Sequence, residues 1–179
     1  MKTMIPFQPE TSFALEPGAT HWFALRVRSN FERTVSAILR NKGFQEFYPT
    51  YRASRRWSDR LKEGEVPLFP GYLFCRLNEN DRFPVLSTSG VVQIVGIGKI
   101  PVPVAPAELE AIWRVTHSDL IVNPCPYLET GDAVIIETGP LAGLHGILLE
   151  CKKKTRLVVS VTLLQRSVAV EMDGQSNGI

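Results

Sequence analysis

The residue types with the clearest chemical potential are the basic side chains clustered between residues 52 and 62. Guanidinium and ammonium groups neutralise phosphates, and Trp57 in the same stretch offers an indole on which a nucleic-acid base can stack. The cluster therefore predicts a surface that tracks a phosphate backbone, with a solvated hairpin tip as the alternative. Against the single acid Asp59, its cations are Arg52, Arg55, Arg56, Arg60 and Lys62.

A second candidate for interaction is the stretch of residues 67–74, which reads Pro-Leu-Phe-Pro-Gly-Tyr-Leu-Phe. Its aromatic residues alternate as they would in a strand, yet Pro70 and Gly71 interrupt the run, and both residue types weaken a sheet ladder. This combination predicts an edge or a bulge, where the backbone bends and aromatic side chains face a partner. A kinked strand of the core is the alternative interpretation.

The remaining polar residues indicate a binding protein rather than an enzyme. His21, His117 and His145 lie far apart in the chain, and none has a cysteine or a second histidine at ligand spacing. We find neither a nucleophile elbow nor a glycine loop of the Walker or dinucleotide type. We therefore expect no catalytic residue, no metal and no cofactor.

Composition places the chain among globular proteins of the cytoplasm. Its 179 residues suit one medium domain or two small ones, and a hydrophobic content of 44% is ordinary for such proteins. Three widely spaced cysteines, Cys75, Cys125 and Cys151, favour a reducing compartment over a disulfide framework. No apolar stretch approaches the roughly 18 residues of a membrane helix, so we expect no membrane partner and no secretory signal.

Hydrophobic periodicity predicts the elements that position these segments. The first part contains four predicted strands, over residues 21–28, 44–51, 66–77 and 91–95. Ser29 and Glu32 have the spacing of a capping box before an amphipathic helix, which Gly43 ends. A short helical turn is expected over residues 82–87, and Pro106 begins a last helix. This order predicts the fold class α+β, with a sandwich of ferredoxin-like type.

The second part of the chain is predicted to be all β. Pro124 and Pro126 break regular structure, so we place a linker over residues 118–128. Short strands over residues 133–137, 146–151, 157–162 and 168–172 then predict a small barrel. The predicted organisation is a loosely ordered tail (1–19), an α+β domain (20–117), the linker, the barrel (129–174) and a short tail (175–179).

Several of these segments together resemble the NusG family. Residues 21–25, 68–74 and 89–92 are similar to its N-terminal, or NGN, domain, and they stand in the family's order. Residues 131–134 and 139–146 resemble the KOW motif of its second domain. The resemblance covers most of the chain, and it implies a ferredoxin-like α/β sandwich followed by a small SH3-like β-barrel.

The resemblance implies a transcription elongation or antitermination factor. Members of the family bind the clamp helices of the RNA polymerase β′ subunit through an apolar depression and reach the β subunit across the DNA channel, which disfavours pausing. By position, the polymerase-binding residues are expected to be Phe69, Pro70, Tyr72, Phe74, Arg82, Phe83 and Thr88. Arg28 matches a position near the non-template strand. The residues expected to contact non-template or upstream DNA are Arg28 and the basic stretch with its tryptophan, namely Arg28, Arg52, Arg55, Arg56, Trp57, Arg60 and Lys62.

Departures from the family pattern indicate a specialised paralog, similar to antiterminators of the RfaH and UpxY type. Housekeeping members carry phenylalanines at the positions of Leu141, Leu144 and Leu164, the last within an Ile-Phe-Gly-Arg segment that recognises Rho or a small ribosomal subunit protein. Residues 163–166 here read Leu-Leu-Gln-Arg. We therefore expect no Rho binding and a weakened ribosomal contact, on a KOW partner surface that consists of Leu141, Leu144, Leu163, Leu164 and Arg166.

The alternative function is that of a translation-associated RNA-binding protein, because KOW barrels also occur in ribosomal proteins. The aromatic Phe-Pro-Gly-Tyr segment at residues 69–72 argues against it, since a ribosomal KOW protein has no need of such a segment. In either case we expect a monomer.

Overall fold

The structure, a computed structural model, describes residues 19–57, 60–78, 80–127, 131–151 and 154–172. The first part comprises β1 (His21–Val27), α1 (Glu32–Asn41), β2 (Gln45–Phe47), β3 (Thr50–Trp57), β4 (Arg60–Pro67), β5 (Tyr72–Leu77), α2 (Arg82–Leu86), β6 (Val91–Ile94), β7 (Gly96–Ile97), β8 (Ile100–Pro101) and α3 (Pro106–Thr116). The second part comprises β9 (Val122–Pro126), β10 (Asp132–Ile135), β11 (His145–Cys151), β12 (Lys154–Val161), a 3-10 turn (Thr162–Leu164) and β13 (Arg166–Met172). Both predicted tails, apart from residue 19, lie outside the described residues.

The first sheet has the order β2-β5-β1-β6, and all its neighbouring strands are antiparallel. α1 connects β1 to β2 past β5, and α2 connects β5 to β6 past β1, as in a ferredoxin-like sandwich. One face of the sheet packs against these two helices because apolar residues alternate along the strands. The buried residues of this first core include Leu25, Val35, Leu39, Leu73 and Val85. The predicted α+β fold class is confirmed.

The start of α1 differs from the prediction. Asn30 adopts a left-handed conformation (φ 66°) in a tight turn, which places Phe31 at the N-cap, and no side chain caps the helix. The expected capping box is therefore absent, and Glu32 bonds elsewhere. The predicted end of the helix holds, because Gly43 has φ +86° and its N–H and that of Phe44 return to the Arg40 and Leu39 carbonyls.

The predicted long third strand is instead two strands joined by a turn. β4 pairs with β3 as a separate hairpin, so the basic stretch belongs to a hairpin backbone. β5 lies inside the first sheet between β2 and β1. The expected edge or bulge at residues 70–71 is therefore wrong: the proline and glycine precede a central strand, where they cost no ladder hydrogen bond.

The second sheet has the order β10-β11-β12-β13-β9 and is also antiparallel. Its strands confirm the predicted all-β second part. Residues 122–126, which we expected to be irregular, form β9 instead. Pro124 and Pro126 are tolerated there because β9 is an edge strand, which pairs on one side only among the described strands.

The second core spans both sheets. It joins the other face of the first sheet, including Ala24 and Phe74, to α3 and to the inner residues of the second sheet. α3 buries one broad face against this core. Its buried residues are Leu109, Ala111, Ile112 and Val115.

Candidate interaction site

Residues 69–72 form a tight turn at the start of β5. The Tyr72 N–H donates to the Phe69 carbonyl (3.0 Å), and Gly71 has φ +83°. Proline at the second position and glycine at the third are the residues that a type II turn requires, because only glycine adopts a positive φ without strain. The interrupted aromatic run is thus a turn built for one conformation.

An aromatic cluster stands behind this turn. Phe74 meets Phe69 edge to face, with ring centroids 5.9 Å apart, and stacks on Phe47 at 6.0 Å. Phe69 and Phe74 are buried, Tyr72 is half-buried and Pro70 is exposed. The structure therefore brings the four predicted clamp-helix residues together, with the two phenylalanines supporting Tyr72 and Pro70 at the surface.

The other predicted polymerase residues lie on and after α2. Arg82 and Phe83 are exposed, and Phe83 retains 80% of its accessible surface, which is unusual for so large an apolar side chain. Thr88 is buried, and its hydroxyl donates to the Pro84 carbonyl (3.1 Å) and accepts from Lys42 Nζ (2.9 Å). As placed, Thr88 holds the end of α2, while Phe83 is available for contact.

The predicted nucleic-acid residues are only partly described. Arg28, which follows β1, and Arg52 in β3 both have exposed side chains. The backbone of the β3–β4 hairpin is described except for its tip at residues 58–59. The side chains of Arg55, Arg56, Trp57, Arg60 and Lys62 lie outside the described residues.

The predicted KOW partner surface lies largely inside the second core. Leu141, Leu144 and Leu164 are buried there, and Leu163 packs against them half-buried, while Arg166 is exposed. The buried Phe69 and Phe74 belong to the same apolar cluster. The two predicted partner surfaces therefore meet in one core.

Two polar contacts connect α3 to segments that join the strands of the second sheet. Arg114 Nη2 donates to the carbonyls of Pro140 (3.2 Å) and Ala142 (2.6 Å). Glu108 Oε1 accepts from both the backbone N–H (3.2 Å) and the hydroxyl (2.7 Å) of Thr162. Sequence reasoning missed these contacts because their partners lie 26 to 54 residues apart, and no local pattern couples them.

The candidate reactive groups are the Cys75 thiol and the side chains that could bind a metal ion. Burial raises the pKa of the Cys75 thiol to about 12, so the residue packs as a small hydrophobe. Within the described residues, no group of three or more His, Cys, Asp and Glu side chains could hold a metal ion. In the same part of the chain, no helix is long and apolar enough to cross a membrane.

Comparison with known proteins identifies a family for this arrangement. Residues 20–113 match the family model NusG, described as transcription termination factor nusG. A transcription termination/antitermination protein NusG from Thermus thermophilus is 30% identical over 162 residues, which cover 83% of this chain and 88% of the relative. Its counterpart from Pseudomonas aeruginosa is 29% identical over 169 residues, covering 87% and 96%. A solved structure described as domain interaction in Thermotoga maritima NusG covers 85% of this chain and 93% of its own, at 21% identity and a TM-score of 0.50.

Proposed function

From the premise that this chain belongs to the NusG family of transcription factors, we propose that it binds elongating RNA polymerase and suppresses pausing. The observation that carries the proposal is the type II turn at residues 69–72. It holds Tyr72 and Pro70 at the surface over a packed aromatic base. Rigid aromatic anchors suit a protein interface because they bury a large area at a small entropic cost. We assign this surface to the clamp helices of the β′ subunit.

We assign a second contact, to the polymerase β subunit, to the exposed end of α2. Phe83 and Arg82 carry it, and Thr88 supports it through Lys42. Bridging the β′ and β subunits holds the clamp closed over nucleic acid. The exposed Arg28 and the basic β3–β4 hairpin add contacts to the phosphates of non-template or upstream DNA.

We further propose that residues 20–117 and 129–174 act as separable domains, and that they must separate before either predicted surface is fully available. The buried leucines of the KOW partner surface and the aromatic base of the turn support this, because both lie in one core in the described arrangement. We call the molecule open when the two domains are apart, and closed in the described arrangement. The apparent affinity for polymerase is then lower when a smaller fraction of the molecules is open. Once released, Leu141, Leu144 and Leu164 can recruit a partner.

Substitution of the surface tyrosine tests polymerase binding. Tyr72→Ala is expected to weaken binding to core polymerase by at least about 1–2 kcal/mol, as for a central aromatic hot spot. The measurement is a titration of core polymerase with the full chain, and the matched control is Tyr127→Ala, a half-buried tyrosine outside every proposed contact. Because Tyr72 also packs against the second core, the titration is repeated in the Glu108→Ala, Arg114→Ala background. Equal affinities of wild type and Tyr72→Ala in both backgrounds reject the assignment.

A further inference from the structure

Glu32 is a buried carboxylate. Because the predicted capping box does not form, the carboxylate has no capping role. The residue retains 5% of its accessible surface and stands in the first turn of α1. Its Oε1 accepts a hydrogen bond of 2.8 Å from the N–H of Gly71, which is 39 residues away in sequence. Burial of a carboxylate is costly unless it is hydrogen-bonded, although the N-terminus of a helix favours negative charge. This placement therefore indicates a specific task.

The task is visible in the hydrogen bonds of the turn itself. The Gly71 carbonyl accepts from the Val27 N–H (2.8 Å), and its N–H donates to Glu32. The turn's own bond, from Tyr72 to Phe69, leaves the Gly71 N–H unused. Without the carboxylate this donor has no partner within the described structure, and an unsatisfied backbone group is expensive. β1 and α1 thus bond to the two backbone groups of the same residue, Gly71.

We propose that Glu32 is a positioning residue for polymerase binding, which ties α1 to the Pro70-Gly71 turn and so fixes the direction in which Tyr72 faces the partner. The inference rests on the proposed function, because it takes Tyr72 as an anchor. Glu32 itself is buried and contacts no partner. Its effect on affinity passes through the turn, since an anchor that is pre-ordered loses less freedom on binding.

Two substitutions at Glu32 distinguish the effect of its side-chain length from the effect of its charge. Glu32→Asp keeps the charge but shortens the side chain, whereas Glu32→Gln keeps the length and an acceptor oxygen. We expect Glu32→Asp to accelerate hydrogen exchange at the Gly71 amide, and to weaken polymerase binding, each by roughly threefold to tenfold. Glu32→Gln should keep both within about twofold of wild type.

The matched control is Glu46, a second buried carboxylate that ties α1 to the first sheet. Its side chain is 4% exposed, and it accepts from Ser36 Oγ (2.7 Å) and from Arg40. Glu46→Ala should lower the stability of the full chain yet leave exchange at Gly71, relative to neighbouring amides, and polymerase affinity unchanged.

The experiment is amide exchange by NMR on the full chain, followed by titration of core polymerase with each variant. Unchanged exchange at Gly71 in Glu32→Asp overturns the inference, and so does accelerated exchange with wild-type affinity. Tyr72→Ala is measured in parallel. If it leaves affinity unchanged both in wild type and in the Glu108→Ala, Arg114→Ala background, the proposed function fails. If it weakens binding while Glu32→Asp does not, only the positioning role fails.

Discussion

At the scale of single residues, Gln165 has an unusual backbone conformation. It adopts φ 50° and ψ 48°, which is left-handed, and the resemblance matches its position to the glycine of an Ile-Phe-Gly-Arg segment. Glycine is favoured there because it has no Cβ to clash with the backbone. Gln165 retains one compensation, a hydrogen bond from its side-chain Nε2 to the Thr162 carbonyl at 3.0 Å. The residue that replaces glycine is therefore strained and partly compensated.

Gln165→Gly is expected to raise the free energy of unfolding by about 0.5–1 kcal/mol, because relief of the left-handed strain outweighs the loss of an exposed hydrogen bond. Gln165→Ala is the control: it keeps the strain and loses the bond, so it should be less stable than wild type. Urea denaturation of the full chain measures both. A glycine variant no more stable than the alanine variant contradicts the account.

At the scale of elements, α3 packs in the core that joins the two sheets, and β3 and β4 pair as a separate two-stranded sheet. The buried residues of α3 contribute to the second core, while Glu108 bonds to Thr162 in the 3-10 turn and Arg114 bonds to the connection between β10 and β11. Such polar contacts are individually modest compared with the burial of leucine side chains.

Loss of both polar contacts should favour the open arrangement. The double variant Glu108→Ala, Arg114→Ala is expected to destabilise the described arrangement by about 1–2 kcal/mol, and to tighten apparent polymerase binding by up to roughly thirtyfold. Titration of core polymerase with the full chain measures the effect. Glu110→Ala, on the same helix, is the control. A double variant that binds no more tightly than this control shows that the described contact does not limit binding.

Neutralisation of the hairpin tests its role in binding DNA. Replacement of Arg52, Arg55 and Arg60 by glutamine should weaken association with an elongation complex and flatten its salt dependence by up to roughly three counterions. Lys99→Gln, which removes a cation from the β7–β8 hairpin, is the control. A salt slope that the triple variant leaves unchanged means that the hairpin only faces solvent.

At the scale of the whole molecule, the closed arrangement keeps the leucines of the KOW partner surface away from solvent. The resemblance matches Leu164 to a phenylalanine and Gln165 to a glycine of housekeeping factors, so this surface is expected to lack a flat ring and to carry an extra side chain. Aromatic residues are enriched at interfaces, so their loss weakens a shared binding surface. We propose on these grounds that the chain is a specialised antiterminator.

The full chain is therefore expected to shorten polymerase pauses without stimulating Rho. The combined substitution Leu164→Phe, Gln165→Gly restores the family's pair and should increase any effect on Rho, whereas Gln165→Gly alone should not. A Rho termination assay with each variant measures this difference. If the wild-type chain enhances Rho-dependent termination as strongly as a housekeeping factor does, the paralog proposal is overturned. Polymerase binding is tested separately, by Tyr72→Ala.

The sequence by itself determined the local features of this protein. Alternation located β1, and a run of β-branched residues located β6. Glycine and proline located the end of α1 and the start of α3. Short-range patterns sufficed because the cause of each lies within a few residues. Two motifs in the right order then identified the family and the fold class. The aromatic segment was recognised as special on the same local grounds.

Only the tertiary structure decided which distant groups meet. The bond between Glu32 and Gly71 joins residues 39 positions apart, and that between Glu108 and Thr162 joins residues 54 apart. The placement of β5 inside its sheet and the use of Pro124 in an edge strand also depend on which neighbours arrive from elsewhere in the chain. Periodicity shows that a residue will be buried, but the partner that covers it is selected by packing and hydrogen-bond satisfaction across the whole molecule.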